Sequence, residues 1–175
     1  MEPKALGAAL ITILFWASAF AGIRAGLKGL SPGHLVLLRF LVAGILLLLY
    51  ARLLGLRPPR REDLPRLFVL GLLGITVYHT ALVYGELTVS AGAASLLIAT
   101  GPVFTALLSH LLLGERLRPW GVVGFGLALL GSALIAWGEG GGVALSPGAF
   151  LILLAALSTS VYFVLQKPLF ARYRS

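Results

Sequence analysis

Residues 87–113 read LTVSAGAASLLIATGPVFTALLSHLLL. No Asp, Glu, Lys or Arg interrupts them, and they do not alternate with period two. About 20 apolar residues, each rising roughly 1.5 Å, carry a helix across about 30 Å of hydrocarbon. This stretch is therefore long enough to span a bilayer. Gly101-Pro102 stands at its middle. Proline has no N–H to donate and frees a carbonyl one turn back. Such breaks line cavities within membrane proteins, although some are simple kinks. Ser95, Thr100 and Thr105 surround this one and can bond polar groups, which favours the cavity reading.

The same pattern recurs on both sides. Ala5–Ile23, Leu67–Gly85, Pro119–Gly138 and Val143–Gln166 are uncharged, and Leu35–Tyr50 carries only Arg39. Six spans result. A β-barrel is excluded by the lack of alternation, which leaves helices to satisfy the backbone in lipid. Over its 175 residues the chain is 59% hydrophobic and 11% charged. Soluble domains run roughly 45–50% apolar and about 25% charged. With a mean hydropathy of +0.99, the composition excludes a disordered chain, a nucleic-acid-binding domain and an ordinary soluble enzyme. Absence of cysteine removes disulfides, thiolate metal sites and cysteine nucleophiles.

The net charge of +8 is chiefly an orientation signal. With a cytoplasmic N-terminus, eleven Lys and Arg residues outside the spans fall inside and two, Arg24 and Lys28, fall outside. Basic residues stay on the cytoplasmic side of short loops, so both termini are expected inside the cell. Residues 51–66, ARLLGLRPPRREDLPR, form a basic linker broken by Pro58, Pro59 and Pro65. Gly138–Gly148 is a second break. Ala17-Ser18-Ala19 also has the form of a signal-peptide cleavage site, but its small residues fit close helix packing equally well.

Several residues stand out against this apolar background. Arg39 lies about 6–9 Å inside the second span, where a charge faces a cavity or partner unless its stem carries it back to the headgroups. Glu86, at the outer end of the third span, is its nearest counter-ion by topology. Arg24 at the outer mouth can attract anions. His34 reads as a loop residue. His79 lies beside Tyr78, near Tyr84, and is either a packed core histidine or a substrate or proton site. No histidine pair has metal-ligand spacing. Glu115 ends the fourth span, where the helix dipole disfavours a carboxylate. An inner-gate salt bridge to Arg116, Arg118 or the basic linker would explain it. Trp120 and Trp137 suit interface anchoring, whereas Trp16 is mid-span and suits a cavity. No carboxylate lies deep in a span, and no Ser/His/Asp set, HExxH or phosphate loop is present. GVVGFG at Gly121 has the wrong glycine order for a dinucleotide site.

The sixth span, GAFLILLAALSTS from Gly148, aligns with the first, GAALITILFWASA from Gly7, with identities at 7/148, 8/149, 10/151 and 11/152. A five-span repeat is odd-numbered, so its second copy enters from the opposite side. Many carriers have this inverted design.

Four stretches together resemble the EamA-like domain of the drug/metabolite transporter superfamily. They are FWASAFAGIRAGLKGLSPG, LVLLRFLVAGILLLL, ALVYGELTVSAGAASLLIATGPVFTALLSHLLLGERL and GVVGFGLALLGSALIAWG. The resemblance implies an all-α integral membrane protein. Residues 1–138 would be a five-helix EamA-type repeat, and residues 139–175 the first helix of a second, inverted one. It also implies an inner-membrane carrier, often an exporter, of amino acids, other small metabolites or drugs. Alternating access would pass through a cavity lined by Trp16, Arg39, His79, Tyr84, Ser95 and Pro102, with Arg24, Glu86 and Glu115 as gate or structural residues. No cofactor, metal or nucleic acid is expected. The partners are the bilayer and a small organic solute. The missing half is expected from a second copy or from further chain. The alternative is a non-transporting, truncated component or assembly subunit.

Overall fold

The structure is a computed structural model that describes residues 3–116, 119–138, 146–170 and 172–173. It is helical, with no strand among the described residues. Helix α1 is Pro3–Gly26 and α2 is Pro32–Leu53. Helix α3 is the composite Arg61–Gly85, and α4 is the composite Ala91–Leu113. Helix α5 is Pro119–Gly138 and α6 is Pro147–Phe170. Five of these, all but α5, meet the length and apolarity of a membrane span over described residues. Helix α5, at 20 residues, is long enough to be the sixth. The protein is a multi-pass membrane protein. Residues 139–145 of the Gly138–Gly148 break, including the Val143 start of the sixth span, and also Arg118 and the Trp137 side chain lie outside the described residues. His34, expected in a loop, instead sits in the first turn of α2. Its Nδ1 lies 2.6 Å from the Ser31 hydroxyl, so the ring helps to close that helix start.

Two helices depart from regular α geometry. Helix α3 passes through a π-helical segment, Leu72–Val77. Such a segment loosens the ladder, and here the Ser158 hydroxyl donates to the Leu73 carbonyl at 2.9 Å. Helix α4 breaks where Pro102 foretells it. Ala91–Ile98 ends, Ala99 and Thr100 turn, and Gly101–Leu113 begins with proline in its first turn.

Helix α6 is the most buried of the five candidate spans, packed against the Tyr78–Gly85 half of α3, its π-helical segment and both halves of α4. Its buried side chains are mostly small: Gly148, Ala149, Ala155, Ala156, Ser158, Thr159 and Ser160. Small residues let helix backbones approach where lipid supplies no hydrophobic drive. The closest approach is Gly85 of α3 against Gly148 of α6. A Cβ on Gly148 would lie 2.8 Å from the Gly85 carbonyl oxygen, and one on Gly85 would lie 2.8 Å from that of Gly148. Around this crossing, Tyr78, Ala81, Leu82 and Val83 of α3 form a core with Ala149, Ile152 and Ala155 of α6, Ile23 of α1 and Leu35 of α2.

A polar clasp ties the start of α3 to the residues that follow α6. Asp63 is buried, and its carboxylate accepts from the Arg172 guanidinium at 2.8 Å and from the Tyr173 hydroxyl at 2.6 Å. Donating to that carboxylate holds the Tyr173 phenol above its ordinary pKa. The Arg60 amide donates to the same hydroxyl at 3.0 Å, and Arg66 donates to the Leu165 carbonyl at 2.7 Å.

The Gly85–Gly148 crossing has no room for side chains, and overpacking of this kind costs about 1–3 kcal/mol. Gly148→Val is therefore expected to lower the thermal unfolding midpoint in detergent. Gly44→Ala, with nothing within 4 Å of its Cβ, is expected to leave it unchanged.

Candidate functional site

The break in α4 opens onto a cleft of about 460 Å³. One wall is the second half of α4, where Pro102, Thr105, Ala106 and Ser109 follow one another at helical spacing. The opposite wall is α6, with Thr159, Ser160, Phe163 and Lys167 on one face. Trp16 from α1 closes a side. At the break, the Ser160 hydroxyl lies 2.9 Å from the Gly101 carbonyl, and it also reaches the Ala156 carbonyl in its own helix at 2.7 Å. The Thr100 hydroxyl donates to the Leu97 carbonyl at 2.6 Å. Side-chain hydroxyls thus serve carbonyls near the interrupted ladder.

An ion pair lies at the Glu115 end of the cleft. The Lys167 ammonium lies 2.8 Å from both Glu115 carboxylate oxygens and 3.1 Å from the Ser109 hydroxyl. Glu115 thus pairs with Lys167 on α6, and among the described residues no ion pair joins it to Arg116 or to the linker. Arg116 lines the cleft. Lys167 follows Ser160 by two helical turns and so faces the same way. His110 Nδ1 lies 2.9 Å from the Glu115 carbonyl, which caps the end of α4.

The expected site residues divide into separate places. Trp16 and Pro102 line the cleft. Arg39 and His79 meet in a shallow pocket between α2 and α3, with the Phe40 ring tilted at 58° to the His79 ring and 4.5 Å from it. One Arg39 guanidinium nitrogen and His79 Nδ1 are buried without a hydrogen-bond partner. That nitrogen does not reach back to the surface, as snorkelling would require. Tyr84 is 43% exposed, and its hydroxyl comes up against Gly33 at the start of α2. The Ser95 hydroxyl donates to the Gly92 carbonyl at 2.7 Å, within its own helix. Arg24 reaches backbone, donating to the Glu86 carbonyl at 2.6 Å and the Val89 carbonyl at 3.4 Å. Glu86 is fully buried, and neither carboxylate oxygen has a hydrogen-bond partner. Among the described residues no ion pair joins it to Arg39.

The α6 wall is absent from the residues singled out in sequence. Its signal was present in the Ser158-Thr159-Ser160 hydroxyl run followed by Phe163 and Lys167 at four- and eight-residue spacing from Thr159. Read only as part of the internal repeat, that run hid a polar stripe.

The chain contains no native cysteine, so an introduced one reports on the cleft without background. Thr105→Cys is expected to react several-fold faster with a membrane-impermeant maleimide when Lys167→Met opens the ion pair. An unchanged rate would show that the pair does not control access.

Residues 3–137 match the EamA-like transporter family. The chain is 47% identical over 163 residues to the uncharacterized transporter YdfC of Bacillus subtilis (strain 168), covering 93% of this chain and 53% of that protein. It is 43% identical over 170 residues to a protein of Streptantibioticus cattleyicolor named probable terminal-alkyne amino-acid exporter, covering 97% and 57%. It is 34% identical over 154 residues to the uncharacterized inner membrane transporter YedA of Escherichia coli (strain K12), covering 87% and 49%. No solved structure matches it significantly. The chain spans about half the length of these curated relatives. With a family match that runs from the start of α1 almost to the end of α5, this multi-pass chain belongs to the EamA-like transporter family.

Proposed function

We propose that the chain forms one wall of a carrier that moves small zwitterionic solutes, amino acids foremost, out of the cell by alternating access. The observation that carries this reading is the cleft at the α4 break. It is roomy enough for a small metabolite, since ligand pockets run about 300–1,000 Å³. It sets apolar surface from Ile98, Ala106 and Phe163 beside hydroxyls from Thr105, Ser109 and Thr159. Glu115 and Lys167 at its end present both charges. A zwitterion offers the complementary pair, and the ion pair would exchange partners as the solute passes. The name of the Streptantibioticus relative, probable terminal-alkyne amino-acid exporter, supports the amino-acid class and the outward direction.

Binding by Trp16 and Thr105 is tested by counterflow of labelled propargylglycine and common amino acids, in vesicles from cells expressing the native gene. Trp16→Ala and Thr105→Val are each expected to lower the rate about tenfold, as loss of roughly 1.4 kcal/mol of binding would. Phe68→Ala, on an exposed face, is expected to be neutral. Equal rates for all variants in folded protein would place the solute path elsewhere.

The charge asymmetry supports a cytoplasmic position for both termini and for the Asp63 clasp, with inner-membrane residence. A cysteine introduced at Gly29 is expected to label from the outside of intact cells. One at Arg61 is expected to label only after permeabilisation, and the reverse pattern would invert the orientation.

A further inference from the structure

Glu86 is the most anomalous group in the molecule. It is one residue past the end of α3, it is 0% exposed, and both carboxylate oxygens lack a hydrogen-bond partner. An ionised carboxylate buried without a partner is costly, and such a group neutralises instead. The groups around it pull the other way. Arg24 from α1 and Arg39 from α2 act on it through charge, and so does Tyr78 from its own helix. Arg24 spends its closest hydrogen bond on the Glu86 backbone carbonyl, and Arg39 keeps a buried nitrogen unpaired. His79, beside Tyr78, faces Arg39 and Phe40. The first turns of α4 and α6, Ala91–Ala94 and Pro147–Phe150, bring no charged residue. Two cations, the exposed Arg24 and the half-buried Arg39, and one buried acid therefore lie together at this end of the bundle.

We propose that Glu86 is a proton-binding site that couples the carrier to the transmembrane pH gradient. Its carboxylate takes a proton from outer water and forms an O–H bond. That bond breaks, and the proton passes to inner water, when the carrier faces inward. The cluster changes from a net charge of one to two and back. Tyr78 neighbours Glu86 and Arg39 on one side and Trp16, which lines the cleft, on the other. Burial pushes the Glu86 carboxyl up to about 7, against the opposing pull of Arg24 and Arg39, so it changes charge in the physiological range. The folded state then binds this proton more tightly than the unfolded chain, whose ordinary value is 4.5. The stability so gained is full below that value and is lost as pH rises through about 7.

The coupling role rests on the carrier reading above, so two measurements keep the two apart. In infrared difference spectra of the native protein in lipid, a protonated-acid C=O band is expected at pH 5, lost by pH 9 and absent from Glu86→Gln. Glu86→Asp, which keeps an acid, is expected to restore a titrating band with a shifted midpoint. Absence of any Glu86-dependent band, or a band that persists unchanged to pH 9, would overturn the proton site. In proteoliposomes, an imposed pH gradient is expected to drive propargylglycine above equilibrium for the native protein, and Glu86→Gln is expected to abolish that response. Native counterflow that ignores the gradient would overturn the coupling. Absence of counterflow altogether would overturn the carrier reading, while the infrared titration would still decide the proton site.

Discussion

The rest of the structure depends on how closely α6 can approach α3. Gly85 and Gly148 meet backbone to backbone, with room for no side chain. In lipid, contact of this kind replaces the hydrophobic drive that packs soluble cores. Once α6 is seated, its other contacts fall into place. Ser158 serves the π-helical carbonyl of Leu73, Ser160 serves the break at Gly101, and Lys167 meets Glu115.

Helix α6 thereby makes an interrupted membrane helix tolerable. A broken ladder facing hydrocarbon would leave carbonyls without donors at several kcal/mol each. Facing α6, the break in α4 becomes a polar recess, and that recess is the cleft. Break and cleft share one cause here, because the proline that weakens α4 also opens the concavity. By contrast, the spanning stretches of α1 and α2 are only 6% buried within the chain, and bilayer would cover much of their apolar surface.

Much of this was legible in the residues. Uncharged stretches mark helices because only helices or closed barrels satisfy the backbone in lipid. Pro102 marks the break because its missing N–H is a local property. Glu115 advertised a partner because a carboxylate opposes the dipole at a helix end. The identity of that partner was not legible, since Lys167 lies 52 residues away and only packing brings it near. The buried state of Glu86 was hidden for the same reason. In sequence it is a charge at a span end, where solvation is the default.

The first and sixth helices draw the line between the two kinds of information. Both carry the Gly-Ala-x-Leu-Ile pattern, so composition alone makes both of them membrane helices. Yet Ile11 is 57% exposed, while its counterpart Ile152 is 0% exposed. Apolar content decides whether a helix enters lipid, because transfer from water depends on the helix's own side chains. It does not decide which helix lies at the centre, because lipid and protein interior are equally apolar to an isoleucine. Tertiary structure decided that, through the glycine crossing and the few hydrogen bonds that only α6 was placed to make.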